Sequence, residues 1–165
     1  MLRSILLLGF IFSCFETWGN PKSDFCLFVQ NVAQTKDSVT IVIKVTNQAR
    51  DPYIFLIPQV EDICNNLIHI KINDLNNHQY ELFPCTYTAK LSSVILTDKN
   101  SLVLPPNKSF SDSLVFSRTV FPKSLIHKQI GIHVELIYSY VQFETSFKNV
   151  FQENIKSPIY KFYLN

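Results

Sequence analysis

Four histidines (His69, His78, His127, His133) and thirteen carboxylates are the side chains that could hold a metal or move a proton. A zinc site needs three or four ligands held close together. His69 and His133 fall on the outward faces of expected strands and can meet across a sheet as two ligands. No H-x-H pair and no suitably spaced acidic residue supplies a third. The only adjacent acidic pair, Glu61-Asp62, lies in an expected loop, where solvation and turn formation account for it. Glu135 and Glu144 can face one side of a sheet as an acid and base couple, but no motif flanks either. No Ser/His/Asp arrangement stands out by spacing. Glycine occurs three times, at Gly9, Gly19 and Gly131. Phosphate cradles, dinucleotide fingerprints and the G-x-S-x-G elbow need several glycines close together, so they are excluded. H-E-x-x-H and paired C-x-x-C motifs are absent as well. Fifteen basic against thirteen acidic residues give a net charge of +2. With no Lys/Arg cluster, nucleic-acid binding by phosphate neutralisation is not expected. The residues point to no catalytic site, no metal and no cofactor.

The cysteines carry more information. Met1-Leu2-Arg3 is a short basic start, and Ile5–Phe12 is an apolar run interrupted only by Gly9. That run is too short for a transmembrane helix, which needs roughly 20 residues, and fits the core of a secretory signal. Two cleavage readings follow. Ile11-Phe12-Ser13-Cys14 resembles the lipobox of bacterial lipoproteins, with the Cys14 thiol receiving diacylglycerol after loss of residues 1–13. Alternatively, an ordinary signal peptidase cuts after Gly19 and Cys14 is lost. The lipobox is preferred, because a cysteine directly after such a run is uncommon by chance. Either way Cys26, Cys64 and Cys85 remain. Export implies an oxidising compartment, where three cysteines make one bridge and one spare thiol. Cys64 and Cys85 bracket a two-strand segment and are expected to pair. Cys26, among Phe25, Leu27, Phe28 and Val29, reads as a small buried apolar residue with a free thiol.

The elements that would position these residues are strands. Alanine, the best helix former, occurs only at Ala33, Ala49 and Ala89, against fourteen Phe and seven Tyr. Val39, Ile41, Ile43 and Val45 alternate with Thr40, Val42 and Lys44, the period of a half-buried strand. Tyr53–Ile57 is apolar on both faces and reads as a strand covered on both sides. Leu67–Asn73 turns Ile68, Ile70 and Ile72 inward and His69 and Lys71 outward. The turn at Asp74–Asn77 then leads into a returning strand, Gln79–Phe83. Val94–Leu96 and Leu102–Leu104 flank a turn, and Phe110–Phe116 follows Pro105-Pro106-Asn107. Ile130–Val141 is the clearest strand, and Ile159–Leu164 the last. Thr119–Lys128 has room for one short helical turn, limited by Pro122.

Strands of this length with turns every 8–12 residues indicate a β-sandwich. The order of Val39–Asn47, Tyr53–Pro58, Leu102–Ser109 leading into Phe110–Phe116, and Ile130–Tyr140 resembles immunoglobulin-like accessory domains of exported bacterial proteins. Leu102-Val103-Leu104-Pro105-Pro106-Asn107 carries their strand, Pro-rich turn, strand step. The resemblance implies an all-β, immunoglobulin-like antiparallel sandwich of about seven to nine strands. Its expected organisation is a signal over residues 1–19 (1–13 if Cys14 is lipidated), a tether over 14–23, and a sandwich over 24–165.

Asp37-Ser38-Val39 and Asp112-Ser113-Leu114 match the Asp-Ser-aliphatic sites that some Gram-negative bacteria O-glycosylate, which makes Ser38 and Ser113 candidates. Asn107-Lys108-Ser109 is a eukaryotic N-glycosylation sequon. The functional expectation is a non-enzymatic cell-envelope lipoprotein that binds or supports another protein. Membrane contact would come through the lipid anchor alone, and the contact loops would be residues 98–101 or 117–128. The alternatives are a secreted carbohydrate-binding or protease-inhibitor-like sandwich. The anchor has a direct test. Labelled fatty acid fed to a bacterial host should enter the wild-type protein and not the Cys14→Ser variant. Unlabelled soluble protein beginning at Asn20 decides for ordinary secretion.

Overall fold

The computed structural model describes residues 24–82, 85, 93–146 and 148–165. The signal segment, the lipidation position Cys14, the tether and Phe83 at the expected strand end lie outside the described residues. The protein is an all-β sandwich. Twelve strands are present among the described residues, more than the seven to nine expected, because several are only three or four residues long.

One sheet holds β1 (Phe25–Gln34), β2 (Ser38–Asn47) and β8 (Ser109–Ser117), with β2 in the centre and all pairings antiparallel. The other large sheet is built on β9 (Lys128–Ile137). On one side of β9 lies β4 (Ile68–Asn73), followed by β5 (Gln79–Glu81). On the other side lie β11 (Asn154–Lys156) and β12 (Tyr160–Leu164), end to end. Two small sheets complete the fold: β3 (Tyr53–Leu56) with β7 (Ser101–Leu104), and β6 (Ser93–Ile95) with β10 (Gln142–Glu144). The β6–β10 pair is parallel. Among the described residues, no helix is long and apolar enough to cross a membrane.

Period-2 alternation drives the assembly. Val39, Ile41, Ile43 and Val45 of β2 are fully buried, as are Ile68, Ile70 and Ile72 of β4 and Ile132, Val134 and Leu136 of β9. These faces share one apolar core, and each such side chain contributes about 1.5–3 kcal/mol of burial. Leu56 and Phe55 lie deep in that core. Phe55 stacks on Phe25 at 5.9 Å and on Phe151 at 5.1 Å, and meets Tyr138 edge-on at 5.8 Å. β3 is covered on both faces, as its composition implied. Its second neighbour is not a strand but the 149–151 backbone: Ile54 N donates to Asn149 O and Phe151 N to Ile54 O.

Helical structure is slight. A single turn, α1 (Glu61–Cys64), replaces the loop expected there. Residues 118–120 and 123–125 form two 3-10 turns around Pro122, where one short turn was anticipated. The long strand read over Ile130–Val141 stops at Ile137. The chain then turns, with Val141 N donating to Tyr138 O.

Cys64 and Cys85 are joined, with their Cα atoms 5.7 Å apart, and close a loop around the β4–β5 hairpin. In the chain-entropy picture such a loop is worth about 3 kcal/mol. Cys26 corrects the expectation of a free thiol, because it too is disulfide-bonded, with its partner outside the described residues. The reason is strand phase. Phe25, Leu27 and Val29 take the inward positions of β1, which leaves Cys26 half-buried on the outer face.

Among the described residues, Asn47 is a wholly enclosed polar side chain. The Asn47 amide nitrogen donates to Leu104 O at 2.8 Å and to Asp51 O at 2.9 Å, and its Oδ1 accepts from Ala49 N at 2.8 Å. Its backbone bonds to both Asn107 and Lys108. One residue thus binds the end of β2 to the 48–51 turn, to β7 and to the Pro-Pro-Asn turn. Asn47→Ala leaves two buried backbone groups, Leu104 O and Ala49 N, without that partner, each costing about 1–3 kcal/mol. A loss of several kcal/mol is expected in denaturant unfolding, with the slope of the transition unchanged.

Candidate functional site

The histidines and carboxylates singled out from the sequence come together on the outer face of β5–β4–β9. Register sets His69 opposite Glu135 and Lys71 opposite both His133 and Glu81. His69 Nδ1 lies 3.0 Å from Glu81 Oε1, and its Nε2 lies 2.7 Å from Asn66 Oδ1. Lys71 Nζ donates to Glu135 Oε2 at 2.9 Å, while His133 Nε2 sits 3.6 Å from Glu135 Oε1. Asn66 also donates to the Tyr140 hydroxyl.

Lys71 and Glu135 form an ion pair at the centre of this cluster, with His69 against Glu81 and His133 beside Glu135. Burial pushes the Glu135 carboxyl up, but the hydrogen bond and charge of Lys71, helped by His133 and His69, hold it below the ordinary carboxylate range. Burial pushes His133 down, and Lys71 and Lys156 add to this against the pull of Glu135. Both ring nitrogens of His69 already lie within hydrogen-bond reach of Glu81 and Asn66. Among the described residues no group of three His, Cys, Asp or Glu is placed to hold a metal ion. The chemistry available here is mutual neutralisation across strands.

The other sequence candidates stay apart. Glu144 lies on β10, opposite Ile95 in a different sheet, so it shares no face with Glu135. The other histidines sit in turns: His78 Nδ1 is 3.1 Å from Asp74 Oδ2, and His127 follows the second 3-10 turn in a left-handed conformation. Ser113 is exposed on β8, which pairs only with β2 among the described strands. Ser38 is half-buried, with its hydroxyl 2.8 Å from the Thr35 hydroxyl. Asn107 is exposed at a left-handed turn position.

The two loops proposed for contact differ. Residues 98–100 form a tight turn in which Asn100 Oδ1 accepts from Thr97 N and its amide donates to Ile95 O. Ser101 is already buried in β7. Residues 117–128 form a broader platform. Phe121 and Leu125 are buried as anchors, while Thr119, Lys123, Ser124 and His127 face outward. Arg118 ties this platform to the β1–β2 turn through Thr35 O and Asp37 O. His127 ties it to β12, donating from its N to Leu164 O and accepting from the Tyr163 hydroxyl at its own carbonyl.

Sequence reasoning passed over Asp62 as a turn residue. Its carboxyl is tucked under α1, accepting from Gln59 N at 2.8 Å. Burial, with the neighbouring Glu61 charge, raises its pKa to about 6 despite the Gln59 bond. The four-residue α1 gives no sequence signal strong enough to reveal that burial.

No known protein family and no curated protein matches the sequence. Among solved structures, a β-glucosidase from Kluyveromyces marxianus in complex with glucose aligns over 86% of this chain and 14% of that chain. Its identity is 11% and its TM-score 0.37. A selenomethionine-labelled form of the β-glucosidase aligns over 81% of this chain and 15% of that chain, at 11% identity and a TM-score of 0.38. This chain thus spans a small part of that enzyme, and a likeness at this level carries no argument about activity.

Asp62 yields a pH prediction. Its folded pKa of about 6 lies above the ordinary 3.8, so folding favours the protonated form. The associated stability is complete below pH 3.8 and is lost as pH rises through about 6. Asp62→Asn, which keeps an acceptor for Gln59, should therefore stabilise the protein by about 3 kcal/mol at neutral pH. It should change little in acid below the ordinary carboxylate pKa. Urea unfolding at the two pH values measures the difference.

Proposed function

We propose that the chain is an exported, non-enzymatic binding or accessory module that presents the 117–128 platform to a protein partner in the cell envelope. The observation that carries this reading is the platform's construction. Phe121 and Leu125 are fixed in the core, hydrogen bonds hold it to β1–β2 and β12, and its polar side chains are left outward. A loop immobilised in this way meets a partner without a large ordering cost. The Cys64–Cys85 disulfide supports export, since such bonds persist in oxidising compartments. An immunoglobulin-like accessory domain of an exported bacterial protein is the kind of protein this reading describes.

Membrane attachment depends on one sulfur. The chain has four cysteines, and Cys64 pairs with Cys85. A thioether-linked lipid on Cys14 would leave Cys26 to take its partner from a second chain. Ordinary secretion with cleavage after Gly19 would do the same. Carbohydrate binding has less support. Tyr163 is the one strongly exposed tyrosine among the described residues, and its hydroxyl is already committed to His127.

The test is a photo-cross-linker placed at Lys123 or Ser124 in intact cells, with Lys99 as the alternative loop. A protein partner should be captured from the 117–128 platform. If the purified domain instead turns over glycosidic, ester or peptide substrates, at a rate abolished by one point mutation, the non-enzyme reading fails.

A further inference from the structure

The platform belongs to a larger end of the sandwich whose charge is one-sided. The β1–β2 turn, residues 118–128, the start of β9 and β12 converge there. They bring Lys36, Arg118, Lys123, Lys128 and Lys161 to one end. None of these five makes an ion pair among the described residues. The side-chain carboxylates at this end are Asp37 and Asp74. Asp74 is turned into its own loop, accepting from Asn76 N and His78 N and lying beside the His78 ring. The chain is nearly neutral overall, so this end is positive and the rest of the surface compensates.

The same end holds an apolar notch of about 150 Å³ between the 74–77 turn and β12. Leu75 is 71% exposed and Ile159 is 53% exposed at its walls. Its floor includes Gly131, the one glycine of the sandwich. A Cβ there would lie 2.6 Å from Ile159 Cγ2, so the missing side chain lets Ile159 lie against the strand. Lys161 and Asp74 also line it.

We propose that this end docks an extended acidic segment of a partner protein. An apolar side chain of the partner enters the notch between Leu75 and Ile159, and its carboxylates lie on Lys123, Lys128 and Lys161. This rests on the binding-module reading and names the chemistry of the partner. Charge complementarity selects the occupant: unpaired cations steer and hold acidic chains, and a single apolar anchor sets the register. Geometry disfavours a lipid surface. β1 runs away from the point where the chain enters the domain and spans roughly 30 Å before reaching this end. The N-terminal end of β1 therefore lies at the opposite end of the sandwich from the basic residues.

The probes are a fluorescent peptide of alternating Glu and Leu, its Lys/Leu counterpart, and vesicles of anionic or neutral phospholipid. The wild-type protein should bind the Glu/Leu peptide in preference to the Lys/Leu peptide, and more weakly as salt rises. The triple variant Lys123→Glu, Lys128→Glu, Lys161→Glu should lose about tenfold or more in affinity while melting like the wild type. Ile159→Ser should weaken binding without altering its salt dependence, since it removes the anchor and no charge. Equal affinity of the triple variant and the wild type overturns the proposal. So does binding to anionic vesicles in preference to the peptide. If the cross-linker at Lys99 captures a partner in cells and the triple variant captures it equally well, the binding-module reading stands and the acidic-docking inference fails.

Discussion

The structure depends on burying one face of each strand in its two larger sheets against a common core. Val39, Ile41, Ile43 and Val45 on one side and Ile130, Ile132, Val134 and Leu136 on the other are almost fully withdrawn from water. A one-residue slip in either strand would send an entire row to solvent, so this packing sets register as well as stability. The polar backbone at the sheet ends must then be satisfied locally. Asn47 does this at the most crowded point, where the chain leaves β2 beneath the 105–108 turn. No buried side-chain polar atom among the described residues lacks a hydrogen-bond partner.

Scarcity of glycine shapes the turns. Left-handed backbone is found at Asn66, Asn77, Asn107 and His127. Asparagine tolerates this conformation better than most residues because its short amide can bond nearby groups. Asn66 shows the benefit: its side chain reaches both His69 and Tyr140 and so joins the turn after α1 to the ladder on β4. Such turns are less pliable than glycine turns, which suits a domain that presents fixed loops.

The polar chemistry of the molecule divides in two. On the outer face of β5–β4–β9, Lys71 and Glu135 pair across strands, with His69 against Glu81 and His133 beside Glu135. At the end formed by residues 118–128 and their neighbours, the cations make no ion pair among the described residues. The first arrangement stabilises a sheet surface. The second leaves a field directed outward, the kind that guides association.

The sequence by itself determined the strands with long, strict alternation and the local closures. β2, β4, β8 and β9, the turn at Asp74, and the pairing of Cys64 with Cys85 were legible, because two-residue periodicity, turn residues and loop closure are local properties. Tertiary structure alone decided the rest. β10 and β11 are three-residue strands that exist because partners lie alongside them, and no pattern of that length is distinctive. Tyr138 continues the inward phase of β9 and is fully buried, so alternation reads straight through the turn that ends the strand. Cys26 shares its neighbours' apolar character but not their face, and strand phase exposed it for pairing. The basic end is assembled from Lys36, Arg118, Lys123, Lys128 and Lys161, scattered along the chain. Their convergence follows from the order in which strands pair, which no run of charge in the sequence records.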